Sequence, residues 1–569
     1  MTTHTEPSTL NSLNSLNSLN SLNSLNSLNK GLMQDVALTI PTLLEHAASN
    51  HGDTEVVVRL LDRSIFRYNY RELARRTRKA ANALHHLGVR YGDVIGTLAW
   101  NHHWHMECFY AIPGLGAVCH TINPRLFREQ IVYIINHAND RMLMVDQDFV
   151  GLVEEIVDQI PKVERFVILG ARGSIPEPTR LKNVLYYEEL IGPEPDTIDW
   201  PDIDERSASG LCYTSGTTGN PKGVLYAHRS TVLHTMAIAQ PDNLSLSALD
   251  CVMPVAPLYH AQSWGLPYGA CMVGAKFILP GRHLDGPNLL ELIQTEGVTT
   301  GCGVPTIWTM LLEYAEKNDQ DLGRLERLLI GGTALPTSMR NRFRAKGVTA
   351  VQIWGMTETS PMGTIGKPNR PVSELSPEER DEELLKQGRL PYGVQMKIVL
   401  EDGSRAPWDG HTSGDIWVKG PWIANGYLHG DGGNLLDEEG FFPTGDVGNI
   451  DRYGYMKITD RSKDVIKSGG EWISSIEIED IAMQHPAVSM AAVVAAYDPK
   501  WDERPLLLVT LKEGATLTKE EMREHLTGRI ARWWMPDDLL IIDAMPMTAT
   551  GKIRKLTLRE KYWNHLHAD

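Results

Sequence analysis

The run Y-T-S-G-T-T-G-N-P-K-G at residues 213–223 places small and hydroxyl-bearing residues ahead of a single lysine. Gly216 and Gly219 let backbone N–H groups approach a ligand closely. Thr214, Ser215, Thr217 and Thr218 add hydroxyl donors, and Lys222 adds a full positive charge. Such a set suits a polyphosphate. It is not a Walker A loop, which ends in G-K-[S/T] and opens a helix. Here Lys222 is followed by Gly223 and the β-like Val224-Leu225-Tyr226. Glycine–threonine clusters also form ordinary solvated turns. The length and order of this run favour phosphate.

The loop needs a scaffold. Leu73, Ala80, Ala81, Leu84 and Leu87 predict a helix over residues 70–87, basic on its other face and ended by Gly88. Residues 94–100 read as a buried strand. Residues 131–136 and 289–294 read as helices, each before a strand, at 142–145 and 298–301. This alternation predicts layered α/β structure with largely parallel sheet. Residues 393–400 and 414–419 read as strands of a separate β subdomain. Residues 371–386, rich in Glu and Asp, read as a solvated insertion. Beyond a junction near Asp460 the pattern is α+β: helix 475–485, strands 488–497 and 506–512, helix 519–533.

At 569 residues the chain exceeds one ordinary core. Its 42% apolar and 22% charged composition is that of a globular protein. A net charge of -16 argues against a nucleic-acid partner. The six cysteines form no C-x-x-C pair and read as buried thiols in a reducing compartment. No apolar run approaches the ~18 residues that span a bilayer. Residues 10–27 repeat L-N-S, whose leucines drift around a helix and hold no face. A disordered low-complexity tail is expected there. His102, His103 and His105 invite a metal reading, but only Glu107 and Cys108 accompany them, so a surface or pocket-flanking helix start is favoured.

Six further stretches follow the loop: Pro257-Leu258-Tyr259-His260 with Trp264; Gly331-Gly332-Thr333-Ala334-Leu335; Trp354-Gly355-Met356-Thr357-Glu358; Thr444-Gly445-Asp446; Asp460-Arg461-Ser462-Lys463-Asp464 with Ser468-Gly469-Gly470-Glu471; and Pro546-Met547-Thr548-Ala549-Thr550-Gly551-Lys552. With the loop, and in this order from about residue 40 to the end, they resemble the signatures of the adenylate-forming superfamily of acyl-CoA synthetases, peptide-synthetase adenylation domains and luciferases. Each alone is modest; the ordered set is specific. The run Cys119-His120-Thr121-Ile122-Asn123-Pro124-Arg125-Leu126 is most similar to the medium-chain acyl-CoA ligase group that includes methylmercaptopropionate-CoA ligases.

The resemblance implies an α/β fold. Residues 32–459 would form a large AMP-binding domain and 460–465 a hinge. Residues 466–569 would form a small mobile domain, with 1–31 as the tail. It implies an AMP-forming acid–thiol ligase using ATP, Mg2+ and coenzyme A, cytoplasmic, with a homodimer as an option and no integral membrane association. The residues from Thr214 to Gly219, with Lys222, would hold the β- and γ-phosphates. Gly332, Thr333, Ala334, Trp354 and Gly355 would face adenine, although a lone tryptophan also reads as core. Asp446 and Arg461 would take the ribose. Glu358 and Thr217 would hold magnesium, and Thr357 would reach the α-phosphate; a lone Glu after Thr also reads as a helix N-terminal acid. His260, Trp264 and Met356 would line an acyl pocket. Lys463 would be the hinge, residues 468–471 the coenzyme A side, and Lys552 the cation bridging carboxylate and α-phosphate. The acid expected is short- or medium-chain. The alternatives are 3-(methylthio)propionate, a long-chain acid, an adenylating enzyme serving a carrier protein, and a non-catalytic nucleotide binder. No carrier domain follows Asp569, which favours a diffusible acceptor.

Overall fold

The computed structural model describes residues 32–176, 178–214, 220–468, 471–547 and 553–567. The L-N-S repeat, Ser215, Gly216, Thr217, Thr218, Gly219, Gly469, Gly470 and Lys552 lie outside them. The chain divides into the units Met1–Leu38 and Thr39–Asp569. In the first, residues 32–38 carry no helix or strand.

The α/β alternation is observed. Helix Tyr70–His86 starts at Asn69, whose side chain accepts from Glu72 N, and buries Leu73, Ala80, Ala81 and Leu84. Gly88 follows at φ +89°, a left-handed value that suits glycine at a helix end. Strand Val94–Leu98 comes next. Helix Arg128–Ala138 precedes strand Met142–Asp146, and helix Gly286–Glu296 precedes strand Thr300–Gly303. Strand Val94–Leu98 lies within a seven-stranded sheet, parallel except where strands Ala208–Tyr213 and Gly223–Ala227 pair antiparallel. The parallel strands are buried on both faces, as sheets covered by crossover helices must be.

A second sheet has thirteen strands. Strands Thr300–Gly303, Arg327–Ile330 and Thr349–Gly355 run parallel at its centre. The strands expected to form a separate β subdomain, Gln395–Val399 and Gly414–Lys419, have their own apolar core around Ile398, Ile416 and Phe442. They nevertheless join this sheet edge to edge, through strands Phe442–Ile450 and Tyr455–Arg461. Hydrogen-bonding continuity leaves no free edge between the two cores.

Three expectations change. The acidic segment is not wholly solvated. Ser376 and Glu379 form a capping box that starts helix Pro377–Leu385, and Asp381 pairs with Arg340 at 3.2 Å and Arg344 at 2.6 Å. The helix expected over 519–533 ends at Leu526, because Thr527 is extended and Gly528 takes φ +75°. The histidine cluster starts helix His103–Gly114 but is buried instead of superficial. His102 Nε2 lies 2.7 Å from Asp146, and burial lowers the His105 pKa to about 3. No group of three or more His, Cys, Asp or Glu side chains is placed to hold a metal among the described residues. All six cysteines are free and buried. Among the described residues no helix is long and apolar enough to cross a membrane.

Past Arg461, strands Val488–Asp498 and Asp502–Leu511 form the spine of a third sheet. Beneath it Lys555 Nζ lies 2.6 Å from Glu479, with the two side chains 14% and 12% exposed. The Lys555 ammonium also donates to Ser475 Oγ at 2.6 Å, and Ser475 N donates to Asp460 at 2.5 Å. The ion pair thus ties the segment after Lys552 to the junction. Burial raises the Glu479 pKa to about 7 against the pull of Lys555. Lys555→Met strands a buried carboxylate and should cost about 3 kcal/mol. Adding Glu479→Gln should recover part of that loss. Pulse proteolysis in urea reads both as shifts in midpoint.

Candidate active site

Strand pairing closes the neck of the Thr/Gly loop. Tyr213 and Gly223 are register partners. Thr214 N donates to the Lys222 carbonyl at 2.9 Å, and Lys222 N donates to Thr214 Oγ1 at 3.3 Å. The Tyr213 hydroxyl lies 2.8 Å from His137 Nδ1, at the end of helix Arg128–Ala138. Three residues past Gly223, Tyr226 donates its hydroxyl to the Thr357 carbonyl at 2.7 Å. Strand Gly223–Ala227 is therefore pinned to the segment that carries Glu358.

Glu358 is buried and accepts a 2.6 Å hydrogen bond from the Tyr427 hydroxyl. Burial pushes its carboxyl above the ordinary range, and the Tyr427 bond opposes that rise. Lys222 Nζ stands 4.9 Å from the centre of the same tyrosine ring. Tyr427 thus joins the loop cation to the buried carboxylate. The sequence reading missed it, and no local pattern marks a tyrosine 69 residues from its partner.

Asp446 is held from two sides. Trp354 Nε1 donates to Oδ2 at 2.9 Å, and Arg461 Nε lies 3.0 Å from Oδ1. Asp446 and Arg461 are register partners on adjacent strands. Trp354 is 7% exposed, so it is mainly a core residue and the face it leaves for a purine is narrow. Its ring lies so close to Gly363 that an added Cβ would sit 2.2 Å from it. A Cβ on Gly355 would meet the Pro361 carbonyl at 1.6 Å, so only glycine fits there.

Gly332, Thr333 and Ala334 are exposed between buried Gly331 and Leu335. Gln352, also unforeseen, fixes this loop: its side chain accepts from Leu335 N and donates to the Thr333 carbonyl at 3.3 Å. Trp264, 8% exposed, packs beside Gly331, whose added Cβ would lie 3.1 Å from the indole. It sits in a left-handed run, Ala261 to Gly265, with φ of 43° to 78°. Such conformations cost energy in non-glycine residues and cluster at working sites. His260 and Met356 are half-buried nearby in sequence, at the start of that turn and before Thr357.

Lys463 follows Arg461 at the junction. Partial desolvation, then the Arg461 charge and more weakly Lys222, hold its ammonium below the ordinary lysine range. Ser468 is buried and accepts from Arg504 at 3.2 Å. Glu471 begins strand Glu471–Ile473, paired with Ile466–Ser468. Arg554, two residues past Lys552, lies 5.8 Å from the Phe127 ring, beside the helix that reaches Tyr213. The site gathers an exposed backbone loop, a clamped carboxylate, a buried carboxylate and a loop lysine. That set can seat a nucleotide.

Residues 44–428 match the model of the AMP-binding enzyme family, and residues 477–552 match the AMP-binding enzyme C-terminal domain. The chain belongs to the AMP-binding enzyme family. A 3-methylmercaptopropionyl-CoA ligase of Ruegeria lacuscaerulensis is 49% identical, covering 94% of this chain and 98% of that protein. A medium-chain-fatty-acid–CoA ligase of Ectopseudomonas oleovorans is 47% identical, covering 94% and 97%. The crystal structure of the anthranilate CoA ligase AuaEII with anthranoyl-AMP superposes with a TM-score of 0.81 at 25% identity, covering 94% of this chain and 98% of that one. This AMP-binding enzyme is an ATP-dependent acyl-CoA ligase, an acid–thiol ligase that forms AMP.

Gly363→Ala should displace the Trp354 ring and loosen its bond to Asp446. Overpacking of this kind costs about 1–3 kcal/mol. Urea denaturation should show that loss, and the ATP dissociation constant should rise with it.

Proposed function

We propose that this ligase activates a short- or medium-chain aliphatic acid and passes it to coenzyme A. The observation that carries the proposal is the Trp264 indole, buried beside Gly331 at the start of the exposed 332–334 loop, with apolar Met356 and Met362 flanking the Thr357–Glu358 segment. An indole there shortens any acyl channel, and the Trp264 and Met side chains offer no charge to a second carboxylate or an amine. A methylthio-substituted acid suits the same walls, since a thioether is apolar and polarizable. The 49% identical relative is named for such a substrate.

In this reading Lys222 and the loop hydroxyls hold the phosphates that leave as pyrophosphate. Asp446 and Arg461 seat the ribose, and Thr357 approaches the α-phosphate. The substrate carboxylate attacks that phosphorus, and a thiol then displaces AMP from the acyl-adenylate. Lys552 contributes charge in the first step by bridging the two anions. Glu358, with Thr217, would hold magnesium. The described residues offer no multi-carboxylate cage, which suits an ion that takes most of its ligands from phosphate and water. When bound, magnesium supplies charge neutralisation at the phosphates. Residues 460–465 are proposed as the hinge between a large domain, 32–459, and a small one, 466–569. Rotation there would exchange Lys552 for residues 468–471 on the thiol side.

Lys552→Ala should lower adenylate formation by about 10²-fold or more. It should spare thioester formation from supplied acyl-adenylate; equal loss in both would end the two-orientation reading. A series of acids from propionate to palmitate, with 3-(methylthio)propionate, assayed for AMP release with coenzyme A, tests the substrate class. Maximal turnover on palmitate would refute it.

Glu358 must ionise to hold a cation, and Tyr427 lowers its pKa. Tyr427→Phe should raise that pKa further. Activity at limiting magnesium should then fail at a higher pH as pH is lowered. An unmoved acid limb in the pH profile would remove Glu358 from the metal role.

A further inference from the structure

We propose a second anion site, for a compact phosphate-type oxyanion, at the opposite end of the strands that carry the nucleotide segments. Strand Arg327–Ile330 leads into the 331–335 loop, and strand Thr349–Gly355 leads into Met356 and Glu358. At the start of both lies a cavity of about 240 Å³. Seven strand residues at about 3.3 Å each separate it from the active site by roughly 20 Å.

Arg327, Arg340, Arg344 and Lys367 line this cavity, and no carboxylate-bearing residue does. The rest of the lining is largely apolar, Val348 and Leu384 among it. The carboxylates that serve these cations are fewer than the cations themselves. Asp381 is shared by Arg340 and Arg344. Arg327 pairs with Asp250 at 2.5 Å and more distantly with exposed Glu326 at 3.8 Å. Lys367 donates to the Pro241 carbonyl at 2.9 Å and to Ser245 Oγ at 2.5 Å, with no ion-pair partner among the described residues. Asp242 is taken by Arg389 at 3.3 Å. The Arg327 Nε atom is buried without a hydrogen-bond partner.

The crowding shows in the charges themselves. Burial first, then Arg344 and Arg380, lowers the Arg340 pKa. Burial first, then Arg327 and Arg389, lowers that of Lys367. A chain of net charge -16 has gathered cations here and left them short of anions. Arginine forks favour phosphate geometry. The volume holds several waters but falls short of the ~300 Å³ from which drug-sized pockets begin. It therefore suits orthophosphate or pyrophosphate and not a whole nucleotide.

The test fills the nucleotide site with magnesium and α,β-methylene-ATP, then titrates pyrophosphate and, separately, orthophosphate by calorimetry. One further equivalent of at least one anion should bind to the wild-type protein. Arg344→Gln with Lys367→Gln should weaken that binding by about tenfold or more, the worth of one charged hydrogen bond. Arg180→Gln, at an exposed arginine outside the cavity, should leave it unchanged. If the double variant does not fold, Lys367→Gln alone is read in the same way. No anion binding beyond the nucleotide site, or binding indifferent to these substitutions, overturns the proposal.

Discussion

Asp446 is the constraint around which the candidate site is arranged. Its two oxygens are claimed by the Trp354 indole and the Arg461 guanidinium. A buried carboxylate without partners would lose its charge or cost several kcal/mol. With them it ties three strands at one point: Thr349–Gly355, Phe442–Ile450 and Tyr455–Arg461. Arg461 is also the last residue of its strand. A displacement of the chain that follows Arg461 would therefore bear directly on the Asp446 carboxylate.

Tyr427 performs a related task between Glu358 and Lys222. Its hydroxyl serves Glu358, and its ring faces the Lys222 ammonium. One rigid side chain sets the spacing between a cation and a carboxylate that would otherwise be free to pair. A cation over an aromatic face is held without being neutralised, so Lys222 stays available to an anion. Burial keeps Glu358 eager for a counter-ion, and the tyrosine keeps it from becoming too difficult to ionise.

The parallel strands give the molecule two ends with different chemistry. Loops at the carboxyl ends carry exposed Gly332, Thr333 and Ala334 beside the clamped carboxylate. The amino ends carry basic side chains held against the docked helix Pro377–Leu385. Arg340 and Arg344 belong to helix Thr337–Ala345, which leaves the 331–335 loop directly. The two ends are thus mechanically joined through one short helix and two strands.

Much of this was legible in one dimension. The helix–strand alternation, the phosphate loop and the ordered motifs are local patterns, and local spacing is what periodicity and turn chemistry report. They were enough to indicate the family, the two-step ligase chemistry and the residues to inspect. Tertiary structure alone decided the partners: Tyr226 with Thr357 across 131 residues, Trp354 with Asp446 across 92, and Tyr427 with Glu358. It also decided that the histidine cluster is core, that the β strands extend an existing sheet, and that four cations share one cavity. These outcomes depend on which buried polar groups meet, and a hydrogen bond between distant segments leaves no periodic trace in the chain that makes it.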